Sequence, residues 1–411
     1  MRRLSLILLL ASAPLLTQTR DDKWRQDLQY LAAALPKTHP NLFAQMTQAD
    51  FTQAISQLND AISSKADYEI VVEMARLVAL AGDGHTSLDL RQNRAAFRSY
   101  PLRLYWFDDG LYVIEAAANN FRALGRKLVQ IGDTPIDQAY AAVSTLISHE
   151  NDQWVKFLSP DYLTTPEILR ALQIVPDLNQ ASFVFEDSGG SRFTLVLAAP
   201  PRGDIVTWLA VPHKAQPAPP FYRRNRSLWY RFDYLPDRKL LYLKYDVCAS
   251  TPTLPFLDFV SQVGDFANSH EIRYFVLDLR NNEGGNDAVI QPLFQGLQQA
   301  IAQGAIDPSS QVFGITGRET FSSGMNNAIQ FKSLGVTLVG EPTGGKPNHF
   351  GSPTALALPN SGLSVNCSTK VIQFAGFDGT SLVPDIHVSF TVSDYLMERD
   401  PALAAILSRA Q

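Results

Sequence analysis

The order of patterns along the chain predicts an α/β protein with a helical N-terminal module, a small β-rich unit and a strand–helix core. Three observations carry this. Apolar residues recur at helical spacing early in the chain, short strands bracket turn signals in the middle, and strands alternate with helices from residue 228 onward. At 411 residues the chain exceeds what one hydrophobic core supports. The divisions fall at 21–95 for the helical module, 96–200 for the β-rich unit, 201–227 for a connector and 228–411 for the core.

In the first module, Trp24, Leu28, Leu31 and Leu35 share one helix face, and Phe51, Ile55, Leu58 and Ile62 share another. Pro36 and Pro40 are expected to break these two helices apart. A third amphipathic stretch, Tyr68 to Leu80, ends at Gly82. In the β-rich unit, two strands flank Asp108-Asp109-Gly110, and two more flank Asp187-Ser188-Gly189-Gly190, both hairpin signals. Lys127 to Ile131 reads as a strand and Ile136 to Ile147 as a helix, which gives the unit a PDZ-like character. The Pro-rich stretch from Pro200 to Pro220 reads as connector. In the core, strands at Lys239–Tyr245, Tyr274–Leu279, Gln311–Ile315 and Val336–Val339 alternate with helices, which argues for a largely parallel sheet.

Hydrophobic residues make up 45% of the chain and charged residues 18%, an ordinary globular balance. The net charge of −5 and the lack of a basic block exclude a nucleic-acid footprint. Residues 1–20 read as an export signal: Arg2 and Arg3, an apolar run from Leu4 to Leu10, then Ala11-Ser12-Ala13. That run is too short for a secure span, and no other apolar run reaches membrane length, so stable membrane insertion is not expected and the destination is periplasmic or secreted. Cys248 and Cys367, the only cysteines, could pair in an oxidising compartment or remain buried thiols. The seven histidines show no i, i+4 ligand spacing, so no metal is expected.

Four segments concentrate residues that chemistry could use. Asp278 to Asn286 runs from a buried strand through polar residues into Gly284-Gly285, where backbone amides can face a ligand. Gly317 to Met325 places Ser322 and Ser323 at a helix start, where a serine serves either as a cap or as a nucleophile beside helix amides. Gly340 to Lys346 fits most of a P-loop pattern, but Pro347 stands where magnesium needs Ser or Thr and removes a phosphate-cradling donor. Gly82 to Ser87 displays His85 on a tight turn, in either a structural or a catalytic role.

Together and in this order, the segments resemble the C-terminal-processing (tail-specific) serine peptidases. The likeness extends to the branch of the tricorn core protease and interphotoreceptor retinoid-binding protein. The matching stretches are Asp83 to Thr86, Asp278 to Gly285, Thr320 to Ser322, Gly340 to Lys346 and Pro384 to Ile386. The resemblance implies a crotonase-like (ClpP-like) core and an exported serine peptidase that acts on peptides or proteins through an acyl-enzyme, without metal or cofactor. Ser322 would be the nucleophile, with Ser323 one slip of register away. The oxyanion hole would take the Ser323 amide and that of Gly284 or Gly285. The base would be Lys346, as in a Ser–Lys dyad, or His85 from the helical module, with Asp378 as supporting acid. Lys346 needs no docking between modules and is favoured on that ground. Met325 stands where the family usually has Glu. The alternative is a non-catalytic ligand- or peptide-binding protein on the same fold, as the retinoid-binding relatives suggest.

Overall fold

The computed structural model describes residues 18–91, 97–214 and 218–409. The targeting segment read in residues 1–20 therefore lies almost wholly outside the described residues.

Three helices open the described chain: α1 (Arg20–Thr38), α2 (Gln48–Ala61) and α3 (Asp67–Ala79). Thr19 and Thr47 cap α1 and α2, each exchanging bonds with an Asp three residues on. Pro36 does not end α1, which runs to Thr38. Leu31 and Leu35, both fully buried, hold that last turn against the core.

The middle unit is an antiparallel sheet in the order β1 (Leu102–Phe107), β2 (Gly110–Ala117), β3 (Lys127–Ile131), β4 (Gln180–Glu186), β5 (Arg192–Ala198). Both hairpins turn where the Asp/Gly signals placed them. Between β3 and β4 come α4 (Ile136–Ser144) and α5 (Asp152–Tyr162). The connector is not free of structure: β6 (Trp208–Ala210) adds to this sheet beside β2.

The core sheet has six strands in sequence order: β7 (Tyr230–Leu235), β8 (Leu240–Tyr245), β9 (Tyr274–Asp278), β10 (Val312–Thr316), β11 (Thr337–Gly340) and β12 (Ile386–His387). All pairs are parallel except the β7–β8 hairpin. Strands β8 to β10 are buried along their whole length, as expected of a sheet covered on both faces. Leu241, Leu243, Phe275 and Leu277 face a layer that includes α6 (Phe256–Ser269), α7 (Gln291–Ala302) and α8 (Ser322–Lys332). The alternate residues Leu240, Tyr242, Tyr274 and Val276 face Phe221 and the C-terminal α9 (Pro401–Arg409).

Two features cross the expected divisions. Residues of the helical module and the middle sheet share one continuous core, from Leu28 to Ala199. Between β11 and β12 the chain also leaves the core sheet and forms two nested antiparallel pairs over residues 349–372, the outer joining 349–351 to 370–372 and the inner hairpin joining 354–357 to 364–367. Leu356, Leu358, Val365 and Cys367 of this excursion pack into the N-terminal core. Ser87 and Asn366 exchange backbone bonds of 2.9 Å there, and the Asp27 carboxylate accepts the Asn360 and Ser361 amides. The two cysteines stay apart and unpaired: Cys248 belongs to the core layer and Cys367 to the N-terminal one.

Candidate active site

The site assembles at the end of β10, where the chain turns into α8. Ser322 has φ +50°, a left-handed conformation that costs an L-residue on the order of 1–3 kcal/mol unless its surroundings enforce it. Enforcement comes from both sides. Thr320 Oγ1 donates to the Leu279 carbonyl (2.9 Å) and accepts from the Gly317 amide (3.0 Å). The Phe321 amide donates to the Asn282 carbonyl (3.0 Å). Gly324 lets Asn282 approach so closely that a Cβ would fall 2.3 Å from its carbonyl oxygen.

This pairing presses the Gly284-Gly285 turn against Ser322. A Cβ on Gly284 would lie 2.8 Å from the Ser322 Cβ and 3.1 Å from the Ser323 nitrogen. Asn282 organises the turn: Nδ2 donates to the Tyr245 carbonyl (2.9 Å), and Oδ1 accepts the Gly284 amide (2.9 Å) and the Cys248 thiol (3.2 Å). The Gly284 amide is thus already committed. The amides of Gly285 and Ser323 have no acceptor among the described residues. Ser323 Oγ donates to the Gly285 carbonyl (2.8 Å), so this hydroxyl secures the turn while the Ser322 hydroxyl has no bond among the described residues.

Beneath the turn, Asp278 is fully buried. Burial would raise its pKa, but Arg280, Lys244, Tyr242 and the Arg280 amide outweigh that and hold it at about 2. Arg280 also makes a two-point pair with Asp400 (2.9 and 3.0 Å). The Asp-Leu-Arg part of the motif therefore anchors the turn.

His85 reaches the site from the helical module. Asp83 shapes its turn, accepting the His85 amide (3.0 Å), Thr86 Oγ1 (2.6 Å), Ser368 Oγ (2.6 Å) and His39 Nε2 (3.1 Å). The Asn41 amide donates to His39 Nδ1 (3.0 Å), which assigns the His39 proton to Nε2. Burial works to raise the Asp83 pKa, yet these bonds hold the carboxyl below its ordinary value.

The His85 ring belongs to a column of four stacked rings. Trp154 lies on Phe321 (3.9 Å between centroids), Phe321 on His85 (4.5 Å) and His85 on His349 (5.1 Å). His85 is 7% exposed, and among the described residues neither ring nitrogen has a hydrogen-bond partner at bonding geometry, although the Phe350 backbone acts on the ring. Burial, reinforced by His349, lowers its pKa to about 4, so the ring is neutral near pH 7. Glu150 stands beside it, with Oε2 enclosed and unpartnered; a Cβ on Gly84 would fall 2.7 Å from that oxygen. Burial and the neighbouring Asp83 raise the Glu150 pKa to about 8.

The remaining expected residues lie close by or outside. Gly345 packs against the helix start, where a Cβ would sit 3.2 Å from Phe321 Cα and 3.0 Å from Met325 Cβ. Lys346 follows it, half-buried, and its ammonium acts on Glu150 and His349 without an ion pair among the described residues. The P-loop reading fails in structural terms too. The Thr343 and Gly345 amides donate to Leu382 and Thr320 carbonyls, so they form no phosphate cradle. Asp378 is exposed on the loop before Pro384, a loop that carries the Phe377 and Thr380 carbonyls bonded by Asn348 and Asn151.

Sequence reasoning missed Glu150, Trp154, Phe321 and His349. Asn151 was missed as well. It caps α5 and donates through Nδ2 to the carbonyls of Thr343 (3.3 Å), Gly344 (2.9 Å) and Thr380 (2.7 Å), docking the middle unit onto the Lys346 loop. Its place before Asp152 is a capping signal, but nothing local marks it as a docking residue.

Two adjoining cavities lead to the turn. One, of about 190 Å³, lies over the ends of β9 and β10 between Tyr222, Arg280, Arg318 and Tyr395. The other, of about 350 Å³, shares Tyr222, Arg226, Asn281 and Glu319 with it and reaches Gly284.

Fold and site together define a mixed α/β protein with a strained serine at a strand-to-helix turn, faced by a glycine pair and a buried histidine. The same fold occurs in mature CPAF. The structure of mature CPAF complexed with lactacystin matches with TM-score 0.63 at 12% identity, covering 95% of this chain and 98% of that one. Mature CPAF alone matches with TM-score 0.61 at 12% identity, covering 95% and 96%. The photosystem II D1 C-terminal processing protease matches loosely, with TM-score 0.39 at 13% identity over 89% and 93%. No protein-family model matches the sequence, and no curated protein does.

Proposed function

We propose that the chain is an exported serine peptidase in which Ser322 attacks a peptide carbonyl and His85 takes its proton. The observation that carries this reading is the strained Ser322, held at a helix start with the uncommitted Gly285 and Ser323 amides at hand. Those two amides would receive the carbonyl oxygen as it becomes an oxyanion. Collapse expels the amine, which leaves with the proton from His85, and water then releases the acyl group by the same route reversed.

His85 is preferred to Lys346 because the docking it requires is present. Its ring lies on Phe321, the residue before Ser322, and both its nitrogens are unoccupied. Apo sites often hold the nucleophile and base apart until substrate arrives. Glu150, next to His85, takes the supporting role that sequence reasoning gave to Asp378. In the same reading the six-stranded unit is crotonase-like, the 102–198 sheet is a degenerate PDZ-like unit and residues 1–20 direct export.

A fluorophosphonate probe tests the proposal. It is expected to label the folded wild type and Ser323→Ala, and to leave Ser322→Ala unlabelled with unchanged far-UV circular dichroism. Labelling of Ser322→Ala at the wild-type rate would refute Ser322 as nucleophile. Failure to label the wild type at all would favour the non-catalytic binding protein.

A further inference from the structure

We propose that Asp83, His85 and Glu150 form a Zn²⁺ site whose occupancy switches the peptidase off. The switch rests on the hydrolase reading above; the site itself does not.

The three residues come from the turn after α3 and the loop before α5, and each offers one ligand atom within 4.8 Å of the others. Proximity of acids alone would carry nothing. Here, however, buried polar atoms lack partners: both ring nitrogens of His85, whose side chain is 6% exposed, and Oε2 of Glu150. Leaving such buried atoms unbonded is costly, so the grouping favours a ligand that satisfies them together. Asp83 keeps capacity for it. Three of its four donors crowd Oδ2, whereas Oδ1 accepts only the His85 amide. Oδ1 lies 3.9 Å from His85 Nδ1, wider than the ~3.4 Å between two ligands of a tetrahedral ion about 2.0–2.1 Å from each, so the two side chains close by roughly half an ångström on binding.

Charge and ligand type select the ion. Two buried carboxylates lie together, with Lys346 acting on Glu150 only from outside an ion pair. A divalent cation neutralises both. One imidazole nitrogen and two carboxylate oxygens suit zinc-type first-row ions, whereas Ca²⁺ takes six to eight oxygens. The consequence for catalysis follows from the lone pairs: with Nδ1 held on Zn²⁺ the ring's single proton sits on Nε2, so neither nitrogen has a lone pair free to take the Ser322 proton. Nothing in the sequence spacing marks this set, because Glu150 lies far from His85 along the chain and meets it only through docking.

The test uses the full chain stripped with chelator and titrated calorimetrically with Zn²⁺. The expected result is one saturable site in the wild type, weakened at least tenfold in His85→Gln and Glu150→Gln. It should be unchanged in His270→Gln, which removes an exposed histidine and controls for adventitious binding. Circular dichroism reports folding, and the near-isosteric Glu150→Gln carries the test if His85→Gln does not fold. Absence of a saturable site, or equal affinity in wild type and Glu150→Gln, overturns the proposal. In parallel, saturating Zn²⁺ should slow fluorophosphonate labelling of Ser322 at least tenfold, with EDTA restoring it. Undiminished labelling at saturation overturns the switch. Residue-dependent Zn²⁺ binding in a protein that never labels, even metal-free, supports the site and overturns the peptidase reading.

Discussion

Ser322 and Gly284 are fitted to one another at the level of single atoms. Gly284 has φ +120°, and a side chain there would collide with the Ser322 Cβ. Gly284→Ala is therefore expected to keep the fold, displace the serine and reduce the probe-labelling rate by ~10²-fold, since small misplacements of a reacting group cost that much. A wild-type rate in this variant would show that the close approach has no catalytic weight. In the proposed mechanism His85 sets the pH response. A base must be unprotonated to accept a proton, so activity rises with pH through its pKa. Burial brings that value down to about 4 from the ordinary 6.5. The acid limb of kcat/KM, measured in chelator, should accordingly lie near pH 4. A limb at roughly pH 7–8, where a lysine base would work, would return the role to Lys346.

Regular elements were legible wherever local pattern decides: one apolar face in α1 to α3 and the two hairpins, and continuous apolar runs in strands β8 to β11. Helix α5 escaped because Ser159 and Pro160 interrupt its Trp154, Val155, Leu158 and Tyr162 face. The excursion over 349–372 was assigned to the core because its strands are short and its true partners lie in the first module. The same physics governs the site. Ser322, the glycine pair and His85 announce themselves as unusual residues in turns, whereas Glu150, Trp154 and His349 matter only through contacts between distant segments. Asn151 makes the point testable. Its removal deletes a helix cap and leaves docking carbonyls without a donor, so Asn151→Ala should cost about 2–3 kcal/mol in denaturant unfolding and lower activity. A fully stable, fully active variant would mean that α5 needs no tether to the Lys346 loop.

For the whole molecule, His85 and Glu150 make stability depend on pH in opposite directions. His85 is harder to protonate folded than unfolded, so stability falls as pH drops from 6.5 towards about 4. Glu150 keeps its proton to about 8 when folded but only to 4.5 when unfolded, so stability falls as pH rises through that window. Glu319, raised by burial to about 7, adds a loss of the same sign as Glu150 up to that pH, so from about 7 to 8 the Glu150 loss stands alone, on the order of 1 kcal/mol at 1.36 kcal/mol per pH unit. Denaturant titrations in chelator should show that loss between pH 7 and 8 in the wild type and a flat profile over the same interval in Glu150→Gln. An identical slope in both would place the cause elsewhere.

The ring column has a temporal meaning as well. Trp154, His85 and the Phe321–His349 pair belong to three stretches of chain that can each gain secondary structure alone, and loop-closure entropy delays contacts between such distant positions. For the peptidase proposed above, proteolytic competence should then be the last property a newly made chain acquires, which would keep a half-folded copy from cutting its neighbours, or itself, before assembly is complete. In refolding, helical circular dichroism should recover first. Trp154 ring stacking, read by near-UV circular dichroism, and probe labelling should then recover together in a slower phase. Labelling that preceded the near-UV signal would show that the serine is armed before its surroundings close.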